Sequence, residues 1–280
     1  MVKIISDSTC DLSKELIEKY DIAILPLHIH LGDEEYEDGV NITPDDIYEW
    51  SDANKTTPKT SAASPDSVMT LLQQYADREI VCFSISDEMS TTGNVMRMAV
   101  EELGLENTAF VVNSANLSTG IGLLVIEAAK MAQEGKSAKE IVTQIEFLKP
   151  QVRASFVVDT LTYLHRGGRC SSVAALAGGV LQLHPRIVVE NGKMSAGKKY
   201  RGKTQSVIMS YVKDMEEELK KAKTDRVFIT HSGCDDETIE KVRAYVESLG
   251  VFEEIFITRA GGVISSHCGP GTLGVLFIAG

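Results

Sequence analysis

Four short polar clusters and one histidine carry most of the chemistry this chain could perform. Ser6-Asp7-Ser8-Thr9, Thr60-Ser61, Ser90-Thr91-Thr92 and Asn113-Ser114 group hydroxyls tightly. Three of them follow runs that read as strands. In a parallel sheet such turns gather at the carboxyl edge, where ligands of open α/β sheets bind. Free backbone N–H groups at a helix start favour an anion there. The same residue types are preferred helix caps, so each cluster alone reads first as a cap. Ser90-Thr91-Thr92-Gly93 exceeds what a cap requires. Near the C-terminus, the Gly- and Pro-rich run from Gly261-Gly262 to Gly269-Pro270-Gly271 contains His267. It reads as a tight loop whose backbone can approach a ligand closely. An imidazole there can donate to a carboxylate and can charge near neutral pH. Two chemistries fit: an anion held by hydroxyls and imidazole, or acyl transfer with Ser90 as nucleophile and His267 as base. Against the second, no orienting acid is identifiable and no GxSxG elbow exists.

Other constellations fall away. A metal site at His267 would have only Cys268 close by in sequence and no HxxxH. His28 and His30 share one face of a strand by period two, a pattern commoner at a half-exposed edge than at a metal. Gly167-Gly168 and Gly178-Gly179 lack the Walker lysine and the GxGxxG of phosphate loops. The five cysteines have no CxxC pair, which reads as reduced thiols in a reducing compartment. A formal charge of −12 argues against nucleic acid, whose phosphates are bound by Lys and Arg. MVKIISDSTCDLS is no signal peptide, and no 18-residue apolar stretch occurs. The expectation is a cytoplasmic protein with no metal or cofactor and no stable membrane insertion.

The elements that must position these residues alternate between short β-rich runs and helical patterns, the grammar of an α/β fold. At 280 residues, two domains are expected, 1–152 and 153–280. The first reads as an α/β, Rossmann-like domain on a parallel sheet. Its strands are expected near residues 2–5, 22–29, 80–85 and 110–112, with Thr43-Pro44 and Ser64-Pro65 opening helices. The second reads as α+β with a mixed or antiparallel sheet. A strand over 154–158 is followed by helical segments flanking His165-Arg166-Gly167-Gly168-Arg169. The second of these, Val173 to Leu183, is almost wholly apolar and is expected to be buried. Glu190-Asn191-Gly192-Lys193 signals a hairpin turn. A charged helix is expected over 203–223, then strands over 227–230, 252–258 and 274–279 around a helix at 236–249.

Taken in order, six motifs give the chain a family resemblance. Ile4-Ile5-Ser6-Asp7-Ser8-Thr9-Cys10-Asp11-Leu12, Pro58-Lys59-Thr60-Ser61, Ser90-Thr91-Thr92, Tyr163-Leu164-His165-Arg166-Gly167-Gly168-Arg169, Tyr200-Arg201-Gly202-Lys203 and His267-Cys268-Gly269-Pro270-Gly271-Thr272 resemble the motifs of DegV fatty-acid-binding proteins. The resemblance covers essentially the whole chain. It implies a carrier, not an enzyme, that holds a long-chain fatty acid in a narrow apolar tunnel. Its carboxylate would be bound by Thr60, Ser90 and His267, with Ser61, Thr91 and Thr92 beside them. It also implies a partner, a fatty acid kinase that converts the presented acid to an acyl phosphate for bacterial phospholipid synthesis. Arg201 is the implied contact for that kinase. The apolar segment from Val173 to Leu183 is a candidate tunnel wall. Two departures stand out. Ala62-Ala63 replace the family's Gln-Pro, and Thr91 replaces the Gly of Ser-Gly-Thr, although Thr does not readily take positive φ.

Overall fold

Strand β1 (Lys3–Asp7) is buried at every residue, as a central strand of a covered parallel sheet must be. The computed structural model describes residues 1–174 and 183–280. β1 is followed by α1 (Lys14–Lys19), β2 (Ile22–Leu25), β3 (His28–Leu31), β4 (Glu34–Glu37), α2 (Pro44–Asn54), β5 (Lys59–Ser61) and α3 (Pro65–Gln73). Then come β6 (Ile80–Ser84), α4 (Thr92–Glu102), β7 (Ala109–Asn113), α5 (Thr119–Gln133) and α6 (Ala138–Leu148). The parallel sheet has the order β2-β1-β6-β7. Helix starts are fixed locally. The Thr43 hydroxyl accepts from the Asp46 N–H while Asp46 reaches back to Thr43, with Pro44 in the first turn.

The strand expected over 22–29 is two strands in two sheets. β2 ends before Pro26, which has no N–H to give a ladder. β3 then begins a small antiparallel sheet of order β4-β3-β5. Apolar residues continue across the break, so pattern alone could not reveal it.

The second half runs β8 (Val152–Val157), α7 (Thr162–Gly167), α8 (Ser171–Ala174), β9 (Leu183–Glu190), β10 (Lys193–Arg201), α9 (Thr204–Asp214) and α10 (Glu216–Leu219). It continues through β11 (Ala222–Ser232), α11 (Asp236–Ser248), β12 (Glu254–Arg259), α12 (Gly262–Cys268) and β13 (Thr272–Ala279). These strands form a mixed sheet, β10-β9-β8-β13-β11-β12, in which the β11–β12 pair is parallel and the other pairs antiparallel. The fold is therefore α/β, with a parallel N-terminal sheet and a mixed C-terminal one.

Three local expectations change. The helix over 203–223 breaks at Met215, and strand β11 already starts at Ala222, paired with Ala279. Pairing between distant segments overrides helix propensity there. The glycine-rich loop around His267 is instead the short helix α12, ended by Gly269 at φ +76°. Of the apolar stretch expected as a buried helix and tunnel wall, Val173 belongs to α8 and Leu183 opens β9. Residues 175–182 lie outside the described residues.

Helix α5 is buried at nearly every position and packs against both large sheets. One apolar cluster is continuous from Ile4 and Phe83 of the parallel sheet, through Leu124, to Phe156 and Leu276 of the mixed sheet. The Glu127 carboxylate of α5 meets the buried guanidinium of Arg226 on β11 at 2.5 Å and Lys223 at 2.9 Å.

Candidate functional site

Three acidic residues from the first forty positions brace the elements that carry the site. The Asp7 carboxylate, at the end of β1, accepts the N–H of Thr9 at 3.0 Å and of Ile85 at 2.8 Å, tying the ends of β1 and β6 together. Asp11 accepts the Gly261 N–H at 2.9 Å, and its other oxygen lies 2.5 Å from the Ser118 hydroxyl. Asp38 accepts the Gly262 N–H at 2.7 Å and the Ser8 hydroxyl at 2.8 Å. Asp11 and Asp38 thus hold the first residues of α12. Burial, only partly offset by these hydrogen bonds, pushes Asp7 up to about 6 and Asp11 up to about 8, and raises Asp38. Glycine is needed at the helix start because the acids come so close. A Cβ on Gly261 would meet oxygens of both at 3.2 Å, and one on Gly262 would lie 2.6 Å from Ile29 Cδ1.

Helix α12 carries His267 in its last turn. The ring Nε2 lies 2.7 Å from the Thr60 hydroxyl on β5. Nδ1 is buried without a partner and faces Gly167, where a Cβ would come within 2.4 Å. That close approach gives the glycine of the Gly167-Gly168-Arg169 run a physical reason. Burial, and then the nearby Arg169 charge, pull the His267 pKa down to about 4, so the imidazole is neutral at neutral pH. A neutral imidazole that donates from Nε2 leaves the Thr60 hydroxyl proton free for an anion.

Ser90 precedes α4. Its hydroxyl lies 2.9 Å from that of Thr92 and accepts the Thr92 N–H at 3.3 Å. Thr91 has φ −86° and ψ 2°, so the substitution for glycine carries no left-handed strain. Of the sequence candidates, Thr60, Ser61, Ser90, Thr91 and His267 line one cavity of about 430 Å³. Thr92 is buried behind Ser90 and does not line it. Leu27, Ile85, Met89, Leu117, Met194 and Ile264 supply the apolar wall, and Ala62 also lines the cavity. The size is that of a small-molecule site. Arg201 ends β10, exposed and away from this lining.

The remaining candidates have structural roles. Ser6 and Ser114 are buried, and their hydroxyls donate to the carbonyls of Asp7 and Asn116. His28 meets Glu35 at 2.5 Å, and His30 Nε2 lies 2.9 Å from the Ser61 hydroxyl. Among the described residues no group of three or more His, Cys, Asp or Glu is placed to hold a metal. A Ser90–His267 dyad is not formed: the Ser90 hydroxyl meets Thr92, and His267 Nε2 meets Thr60.

Arg169 is the lining residue that sequence reasoning left without a role. Its guanidinium donates to the Gly167 carbonyl at 2.7 Å and, through Nε, to the Met89 carbonyl at 3.4 Å. Among the described residues no carboxylate pairs with it. The acids of the same lining are matched elsewhere, Asp87 by Arg97 at 2.9 Å and Glu88 by Lys193 at 3.3 Å. Among the described residues the lining therefore offers neutral donors and a cation, Arg169, without a carboxylate partner, a balance that suits an anion. The second half also closes over it: the Ser86 hydroxyl donates to the Gly192 carbonyl at 2.7 Å, seating the β9–β10 turn beside Met194.

The family model described as "Uncharacterised protein, DegV family" matches residues 1–280. The chain belongs to the DegV family. A DegV domain-containing protein of Deinococcus radiodurans is 31% identical over 98% of this chain and 97% of its own length. A DegV family protein of Thermus thermophilus, whose structure is described as binding fatty acid, superposes with a TM-score of 0.88 at 28% identity, covering 99% of each chain. A stearic-acid-binding protein of Eubacterium ventriosum superposes with a TM-score of 0.87 at 31% identity, covering 100% of this chain and 98% of that one. DegV relatives of this fold bind fatty acids. Among the described residues of this chain, no helix is long and apolar enough to cross a membrane.

Proposed function

We propose that this DegV chain is a carrier that holds one long-chain fatty acid and presents its carboxylate to a partner kinase. The observation that carries the reading is the Thr60–His267 pair, 2.7 Å apart, lining with Ser90 a cavity that also has a wall of apolar side chains. Nε2 of the neutral imidazole donates to the Thr60 oxygen. The hydroxyls of Thr60 and Ser90 then donate to the carboxylate, while Ser61, Thr91 and Thr92 shape the turns around it. In this reading the chain divides at 152 and 153. Thr60 and Ser90 come from the first unit, Met194 and His267 from the second.

Magnitudes assign the roles. Burying about fourteen methylenes is worth on the order of 11 kcal/mol at ~0.8 each. Association costs about 4–15 kcal/mol, and each neutral hydrogen bond returns only about 1 kcal/mol. The tail supplies affinity, and the hydroxyls and imidazole supply orientation. Neutral donors also leave the carboxyl oxygen able to attack a phosphoryl donor, which suits presentation better than storage. The exposed Arg201 is the proposed kinase contact, and the proposed setting is the cytoplasm.

Native mass spectrometry of the protein purified from a bacterial host tests the carrier. A fatty acid in near one-to-one ratio is expected. A protein that is empty and refuses palmitate and oleate overturns the reading. With a fatty acid kinase and ATP, Thr60→Ala, Ser90→Ala and His267→Ala lower acyl-phosphate yield, whereas Arg201→Ala keeps the lipid and weakens the kinase complex. Unchanged yields in all four would remove the presenting role.

A further inference from the structure

A cavity of about 500 Å³ opens beside the β9–β10 turn, and none of its lining residues belongs to the head-group cavity. Its charged groups are Lys149 just after α6, Arg153 on β8, Arg186 and Glu190 on β9, and Glu218 on α10. Most of these are already matched. Lys149 meets Glu146 at 2.6 Å, and Arg186 meets Glu218 at 3.5 Å. Arg153 and Glu190 are left over. The register Ala154–Val189 makes them neighbours across the β8–β9 pair, yet they do not join. Arg153 turns its guanidinium back onto the carbonyls of Pro150 and Val152, at 3.0 and 3.3 Å. Lys193, opposite Glu190 in the β9–β10 pair, reaches Glu88 instead, at 3.3 Å. Among the described residues, no carboxylate pairs with Arg153 and no cation with Glu190. Pro150, Val152, Val188 and Val189 give the same cavity an apolar wall.

We propose that this cavity is a second binding site, for a small zwitterion of the amino-acid or short-peptide class. The ligand's carboxylate lies on Arg153, its ammonium on Glu190, and an aliphatic side chain on the valines. A guanidinium is a forked donor to carboxylate, and an ammonium donates to a carboxylate acceptor. A plain anion would meet Glu190 unmatched, and a plain cation would meet Arg153. A zwitterion answers both charges at once, and the space is that of a small-molecule site. The consequence for lipid rests on the carrier reading above. A ligand in the cavity ties β8 to Glu190 and Asn191 at the hairpin tip. One residue further, the Gly192 carbonyl takes the Ser86 hydroxyl, and Met194 lines the head-group cavity. A tip held down on both sides releases lipid more slowly, and by reciprocity bound lipid tightens the second site.

The test is an NMR titration with three probes: L-leucine, N-acetyl-L-leucine, which lacks the ammonium, and L-leucinamide, which lacks the carboxylate. Wild type is compared with Arg153→Gln and Glu190→Gln, and circular dichroism confirms that each variant is folded. Leucine should saturate one site, and each analogue should bind wild type about tenfold more weakly. Arg153→Gln should weaken leucine by about the same factor and leave leucinamide unchanged. Glu190→Gln should weaken leucine likewise and leave acetyl-leucine unchanged. No saturable binding of leucine, or folded variants that both bind it as wild type does, overturns the site. Acetyl-leucine binding as tightly as leucine overturns the zwitterion. Release of a fluorescent fatty acid is then followed with and without saturating leucine. Slower release supports the coupling, and unchanged release overturns it. A protein that binds leucine but no fatty acid overturns the carrier reading while the second site stands.

Discussion

His267 and the three acids beneath its helix titrate in opposite senses, and that gives the residue scale a pH signature. His267 ordinarily titrates near 6.5 but takes its proton only near 4 when folded. The unfolded chain therefore binds that proton first, and stability is lost as pH falls from about 6.5 to about 4. Asp11 runs the other way. Its folded value, about 8, lies above the ordinary 3.8, so its contribution is full below 3.8 and is lost as pH rises through 8. Between about 4 and 6.5 the two slopes oppose each other, so each is read as a difference from wild type in thermal unfolding across pH. His267→Gln should make stability fall more steeply as pH rises from 4 to 6.5, and Asp11→Asn should remove the fall between 6.5 and 8. Unchanged slopes in the variants would sink the assignment. Affinity is a separate matter. Thr60→Val removes one hydroxyl and leaves His267 Nε2 without its partner, a loss of about 1–3 kcal/mol. Displacement titration with a fluorescent fatty acid should show roughly five- to 150-fold weaker binding, and a complete loss would contradict the tail's dominance.

At the scale of elements, two glycines mark where pieces must approach closely. Asn191 and Gly192 adopt φ +51° and +79°, the positive values that a two-residue hairpin turn requires. A Cβ on Gly192 would also come within 2.5 Å of the Ser86 hydroxyl. Gly192→Ala is expected to cost about 1–3 kcal/mol and to lift the hairpin tip from the 86–88 turn. Thermal unfolding should show the cost, and faster release of a bound fluorescent fatty acid should show the loosened cover. Gly262→Ala strikes the start of α12, where Ile29, Ile47 and Asp38 all lie within about 3 Å of the new methyl. Because that helix carries His267, this variant should lose binding along with stability, whereas Gly192→Ala should lose mostly retention.

For the whole molecule, α5 and its buried ion pair join the two large sheets. Glu127 faces Arg226, which is 3% exposed and also pairs with Asp225 at 2.9 Å, so removing Glu127 leaves the buried guanidinium with one of its two carboxylates. Glu127→Gln is expected to destabilise by about 1–3 kcal/mol in chemical denaturation. Bound lipid acts in the opposite direction. In the carrier reading it would touch residues of both halves, and at a free concentration one hundred times Kd it should add about 2.7 kcal/mol. A delipidated protein should therefore melt well below the loaded one.

The alternation of strands and helices, the caps at Thr43 and Ser64, and the Asn191-Gly192 turn were all legible in the residues, because each depends on neighbours within a few positions. Motif order likewise carried the family, and it pointed to Thr60, Ser90 and His267, which line one cavity. The tertiary structure alone decided matters that rest on pairing across the chain. Pro26 divides two sheets because β3 finds β5. Ala222 joins a strand because Ala279 lies opposite. His267 rides a helix because Asp11 and Asp38, more than two hundred residues earlier, take the N–H groups of Gly261 and Gly262. The neutral state of its imidazole and the place of Arg169 in the cavity follow from burial, which depends on what the fold stacks around a residue.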